Sequence, residues 1–342
     1  MKKSNVFLET MSSYLVKYTT VTKGLSKNTI RSYSHTFQLM FTFLKDKKGI
    51  SPERVSFETL DRNTLEQFLL WLEENRGCSI TTRNQRLSGL SSFASYAIGK
   101  EPIEAASFYN AVSLIPAKKA DETIPIYFTR EEIAIILHLP SGRGKVDYRD
   151  RTLLSVLYAT GARAQELCDI YVRDIRFGEK TSIKLIGKGG KARIVTIPAQ
   201  CAILLKDYLL TVNKLLCLDS HVFSSQTNEH MTISCVEEIV KKYVRKAKSE
   251  NQTLFRELKY TPHSFRHSIA VHMLESGIPL PVIKNFLGHS SIEVTMIYAT
   301  VSDELKNKYL NENSIASAIT QSIQSKKDKS SYPGLDFLNK LS

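Results

Sequence analysis

Apolar residues recur at helical spacing through the first hundred positions of the chain. Phe7, Met11, Leu15 and Tyr18 fall three or four apart, which puts them on one face of a helix. Ser26-Lys27-Asn28 offers a cap to a second segment carrying Ile30, Tyr33, Phe37, Met40 and Leu44. Residues 64–72 predict a third helix, and residues 81–98 a fourth with Leu87, Leu90, Phe93 and Tyr96 as its stripe. From Ser113 to Ile126 the periodicity stops among prolines and charges, as a linker would. A new helix is expected after Thr129, which stands three before Glu132 as in a capping box. Two β-rich runs, 181–186 and 193–197, flank Gly187-Lys188-Gly189-Gly190-Lys191 and predict a hairpin with a glycine turn. The pattern implies a mainly α chain with a small β-hairpin or sheet, in two domains. Their expected limits are 1–112 for a helical domain, 113–126 for the linker and 127–324 for a second domain. A Ser/Lys-rich flexible tail is expected over 325–342.

Charge adds a partner class to this outline. Lys and Arg number 47 against 34 Asp and Glu, a net charge of +13 that favours a polyanion. A basic surface alone is equally that of any soluble cationic protein. In the fourth helix Arg83, Asn84 and Arg86 lie near the start, where they would either meet phosphates or remain solvated charges. The five cysteines are scattered without a CxxC pair, which speaks against a disulfide framework or zinc ribbon and fits a reducing cytosol. No apolar run is long enough for a signal peptide or a membrane span, so a cytoplasmic protein with no membrane partner is expected.

The residues richest in chemistry lie between His263 and Tyr298. His263-Ser264-Phe265-Arg266-His267 is followed by Leu287-Gly288-His289 and then Tyr298, with Arg163 about a hundred residues upstream. His263 and Arg266 share a helix face, and two arginine forks suit the non-bridging oxygens of a phosphate. A tyrosine is by default a core residue, and a weak nucleophile unless cations or a base activate it. The histidines lack the glutamate and carboxylate spacing of a zinc site, and no metal is expected. Neither glycine-rich stretch has the spacing of a nucleotide-binding loop. Lys188 reads either as a solvated turn residue or as a proton donor reaching into a ligand.

Taken together, these segments resemble the tyrosine recombinase, or phage-type integrase, family, and its Xer-like members in particular. The resemblance rests on Thr160-Gly161-Ala162-Arg163 with Glu166-Leu167, the hairpin Gly187–Arg193, His263–His267, and Leu287–Ser291 with Tyr298. Leu25–Tyr33 also looks like the family's core-binding domain, and with it Lys27 and Arg31 become candidate DNA contacts beside Arg83 and Arg86. The resemblance implies a two-domain DNA clamp, a helical core-binding domain followed by a tyrosine-recombinase catalytic domain. It implies an enzyme that needs no cofactor: Tyr298 attacks a scissile phosphate and forms a 3′-phosphotyrosine. Arg163 and Arg266 would clamp the phosphate, His289 hold it, His263 assist proton movement and Lys188 protonate the leaving 5′ oxygen. Glu166 would support the geometry. The partners implied are double-stranded DNA and a homo-tetramer on two recombination sites, exchanging strands through a Holliday junction, with accessory proteins allowed. Integration and excision, transposition or chromosome dimer resolution all fit this chemistry. A C-terminal helix over 303–325 would dock into a neighbouring protomer. A type IB topoisomerase shares the chemistry, and a DNA-binding regulator shares the scaffold; the short chain argues against the first and the intact set against the second.

Overall fold

The computed structural model describes residues 5–120, 124–141, 144–251 and 253–299. It is mostly helical with one three-stranded sheet, and it parts into two compact units, one up to residue 122 and one from residue 123.

The first unit is a helical bundle. Helix α1 (Val6–Ser13) is capped by Asn5, whose side chain accepts from the Leu8 N–H. The chain then widens into a π-helical stretch, Tyr14–Thr22, where the Lys23 N–H reaches back five residues to the Tyr18 carbonyl. The wider turn lets Tyr14 stack on Tyr18 and Tyr33, and brings Tyr18 to 4.5 Å from the ring of Tyr96. Helix α2 (Lys27–Lys48) starts at the Ser26 cap and stops at Gly49, which adopts a left-handed conformation. Helices α3 (Arg62–Glu74), α4 (Ile80–Lys100) and α5 (Ala106–Ser113) complete the bundle around Phe7, Phe37, Phe57, Phe93 and Phe108.

The segment expected to open the linker is fastened to this bundle. Ile115 is buried in its core. Arg83 donates to the Pro116 carbonyl at 2.9 Å, Asn84 exchanges hydrogen bonds with the Lys118 backbone, and the Lys118 ammonium pairs with Glu73 at 2.7 Å.

In the second unit, α6 (Arg130–His138) begins with the capping box expected from Thr129 and Glu132. Helix α7 (Lys145–Thr160) runs into Gly161 and the short α8 (Ala164–Cys168). Strands β1 (Ile175–Arg176), β2 (Ser182–Ile186) and β3 (Ala192–Thr196) form an antiparallel sheet in that order. Ile183 faces Val195 across the ladder, and both are buried with Leu185 on the core side, the alternation a half-covered sheet requires. Helices α9 (Ala199–Thr211), α10 (Ile233–Glu250), α11 (Pro262–Glu275), α12 (Leu280–Leu287) and α13 (Glu293–Met296) follow. The helix expected over 303–325 and the tail over 325–342 lie outside the described residues. Among the described residues no helix is long and apolar enough to cross a membrane.

Candidate active site

Helix α7 ends where the chain must turn sharply beside α12. Gly161 takes φ +56°, and a Cβ there would stand 2.9 Å from Leu287 Cδ2, so both conformation and space call for glycine. Two residues later Arg163 occupies the cap position of α8. Its backbone N–H donates to Glu166 Oε2 at 2.9 Å and its Nη1 to Oε1 at 2.7 Å. Arg193, on β3, donates to Oε2 from the other side at 2.8 Å. Burial alone would push the Glu166 carboxyl up, but the hydrogen bonds from Arg193 and Arg163 outweigh it and hold it below the usual carboxylate range.

Arg266, on α11, is only 3% exposed. Its Nη1 donates to the Gly161 carbonyl and its Nη2 to the Leu287 carbonyl, each at 2.6 Å. These oxygens are the C-terminal ends of α7 and α12, the negative ends of two helix dipoles, and they are good company for a buried cation. Burial, and then repulsion from Arg163, lowers its pKa to about 10, which leaves it charged at neutral pH.

Three histidines and the tyrosine surround this pair. Helix α12 stops at Gly288 with φ +67°, and the turn delivers His289, whose Nδ1 lies 2.9 Å from Thr295 Oγ1. Burial, with Arg266 and Arg163 nearby, pushes its imidazole down to about 4. His263, in the first turn of α11, keeps an exposed face. Crowding by protein and the same two guanidinium groups still lower its pKa. One turn further, His267 places Nδ1 3.1 Å from the Tyr298 hydroxyl, and burial pushes it down to about 4. A neutral imidazole can accept the phenol's hydrogen bond there in its Nε2–H tautomer. Tyr298 itself is 1% exposed, with its ring stacked 6.3 Å from His289. Burial raises its pKa, while Arg266 and Arg163 pull it back.

Six of the residues singled out from the sequence therefore gather here: Arg163, Glu166, His263, Arg266, His289 and Tyr298. Lys188 lies in the turn between β2 and β3; its backbone is described and its side chain is not. A cleft of about 380 Å³ opens beside them, lined by Arg163, Gly187, Lys191, Arg193, Gly288 and His289 among others. Two members escaped sequence reasoning. His267 was visible four residues after His263, yet its partner is 31 residues away and only the fold joins them. Arg193 stood at the end of the hairpin motif with no role of its own assigned to it.

One of the proposed DNA contacts, Arg83, needs correcting, and a second, Arg86, is half-buried and partly engaged within the bundle. Arg83 is 5% exposed and spends its guanidinium on Pro116 and Asn84, with Glu73 at 3.8 Å. Arg86 donates to the Ser32 carbonyl and hydroxyl and towards Thr36. Arg83 ties the bundle together because a buried guanidinium needs internal acceptors, and Arg86 links α4 to α2 through one of its nitrogens. Lys27 and Arg31, on α2, are exposed.

The phage integrase family matches residues 127–304, and a phage integrase N-terminal SAM-like domain matches residues 9–104. Tyrosine recombinase XerD of Staphylococcus saprophyticus is 30% identical over 308 residues, covering 89% of this chain and 98% of that protein. Tyrosine recombinase XerC of Thermodesulfovibrio yellowstonii is 31% identical over 285 residues, 82% of this chain and 87% of that protein. Among solved structures, XerH site-specific recombinase bound to its difH substrate superposes with a TM-score of 0.66 at 22% identity, covering 92% of this chain and 90% of the other. The Tn1549 transposon integrase in complex with circular intermediate DNA gives 0.63 at 16% identity, over 86% of this chain and 95% of the other. At those identities the structures speak to the fold, while the sequence matches speak to kinship. The chain belongs to the phage integrase family and is a tyrosine recombinase of Xer-like type.

Proposed function

We propose that this site carries site-specific DNA recombination with Tyr298 as the nucleophile. The phenol oxygen attacks the scissile phosphorus, an O–P bond to tyrosine forms, and the bond to the 5′ oxygen breaks. Arg163 and Arg266 bind the non-bridging oxygens and stabilise the charge that grows on them. His289 completes the phosphate seat. His263, partly open to solvent, moves the proton released by the phenol, and Lys188 on the hairpin turn supplies one to the departing 5′ oxygen. Glu166 keeps Arg163 oriented and does not touch DNA. The phosphotyrosine conserves the bond energy, so rejoining needs only the 5′ hydroxyl of the partner strand. Four protomers on two duplexes would exchange strands in pairs through a Holliday junction.

The observation that carries this reading is geometric. Arg163 and His289 line one cleft, the Tyr298 ring stacks on His289, and Arg266 is fixed to the helix ends that deliver Arg163 and His289. With its hydroxyl buried against His267, Tyr298 must shift toward the cleft when DNA occupies it.

The test uses a pool of nicked duplexes with randomised sequence, from which the protein selects those that it joins to itself. Wild-type protein is expected to accumulate a covalent protein–DNA adduct, and Tyr298→Phe to bind the selected duplex and form none. Adducts persisting in Tyr298→Phe would move the nucleophile elsewhere.

A further inference from the structure

Arg193 ties three pieces of the site together: strand β3, Glu166 on α8 and the end of α12. It rises from β3, immediately after the hairpin turn, and is nearly buried, with a side chain 11% exposed. Its Nη2 donates to Glu166 Oε2 at 2.8 Å, and its Nε donates to the Phe286 carbonyl at 3.0 Å near the C-terminal end of α12. Its Cδ would lie 3.1 Å from a Cβ at Gly288, so a side chain there would have to push the Arg193 stem aside. The other end of the turn is fitted to the same carboxylate: a Cβ at Gly187 would come within 3.2 Å of Glu166 Oε1 and 3.9 Å of Arg163 Nη1. Gly187 also donates its N–H to the Lys191 carbonyl and closes the turn at its base. The turn between these anchors, Lys188–Gly190, has positive φ at Gly189 and Gly190 and is closed by the Gly190 N–H, which donates to the Gly187 carbonyl at 3.1 Å.

We propose that Arg193 is a positioning residue for leaving-group protonation. By gripping Glu166 and the end of α12, it holds the Lys188-bearing turn in register with Arg163 and with the Gly288–His289 turn. The guanidinium suits this task because its fork satisfies two acceptors in different directions at once, which a lysine ammonium on a flexible stem does poorly. The carboxylate and the helix end neutralise its charge, so it adds little to phosphate binding. This inference rests on the reading of Lys188 as the acid, and the experiment separates the two.

The measurement is single-turnover cleavage of a selected nicked duplex, made in two forms. One carries the ordinary 5′ oxygen at the scissile phosphate and the other a 5′ bridging sulfur, whose thiolate leaves without a proton. Arg193→Met is expected to slow cleavage of the oxygen substrate on the order of a hundredfold, the size of a general-acid contribution. It should recover most of that loss on the sulfur substrate while binding both duplexes like wild type. Lys188→Ala should show the same rescue, and Arg163→Lys should not. Arg193→Lys, which retains a donor to Glu166, is expected to fall between wild type and Arg193→Met, and it carries the test should the methionine variant fail to melt cooperatively. Equal losses on both substrates, or weakened DNA binding, would overturn the proposal and make Arg193 a phosphate contact or a fold-holding residue. A Lys188→Ala defect that sulfur does not relieve would instead sink the acid assignment.

Discussion

The buried guanidinium of Arg266 sits where few charges survive, and after their own burial it helps to lower the pKa of its histidine neighbours. With Arg163 it presses on His289, and with His263 it presses on His267, so burial and repulsion act together. His272, bonded to the Tyr158 hydroxyl at 2.9 Å, is pushed to about 4 by burial and then by Arg130. In all three cases the folded pKa lies below the unfolded value of about 6.5. The unfolded chain therefore binds more protons between these values, and stability is complete above about pH 6.5 and falls as the pH drops towards 4. Melting followed from pH 7.5 to 5 is expected to hold nearly level down to about pH 6.5 and then to fall, less steeply in His272→Gln. A flat profile would mean that the imidazoles are not held neutral. Arg163, Arg266 and Tyr298 were legible in the sequence because their neighbours are distinctive. Arg193 and His267 were not, since what distinguishes them is a partner on another element.

At the scale of elements, helix boundaries were largely written in their caps. Ser26 and Thr129 start α2 and α6 as their sequences suggest. The π-helical stretch was hidden, because apolar residues three to five apart satisfy either winding, and tyrosine stacking chose between them. Strand β1 escaped notice because two residues carry no periodicity. The cap at α6 has a second duty: the Glu132 carboxylate that accepts the Thr129 N–H also receives the Phe255 N–H, from a residue with φ +55°. Thr129→Ala is expected to cost about 1 kcal/mol, as N-cap losses do. Glu132→Ala should cost more, because it leaves two backbone donors unsatisfied, one of them buried. Urea titrations of the two variants would check the order, and equal losses would show that the Phe255 contact contributes nothing.

For the whole molecule, two compact units with their own hydrophobic cores and a net charge of +13 frame what the chain does. If six or more phosphates are neutralised on DNA, affinity should drop by roughly a thousandfold or more between 50 and 200 mM salt. A binding curve indifferent to salt would contradict the phosphate-reading role of the basic surface. The inward arginines of the first unit bear on a practical matter, the retargeting of such enzymes to new sequences. A library that randomises every basic position at the start of α4 would spend most of its members on Arg83 and Arg86, whose replacement unfastens Pro116 and Ser32. Exposed positions such as Lys27 and Arg31 can be varied without removing a buried side chain. Directed evolution of this protein thus begins with deciding which arginines are grammar and which are vocabulary.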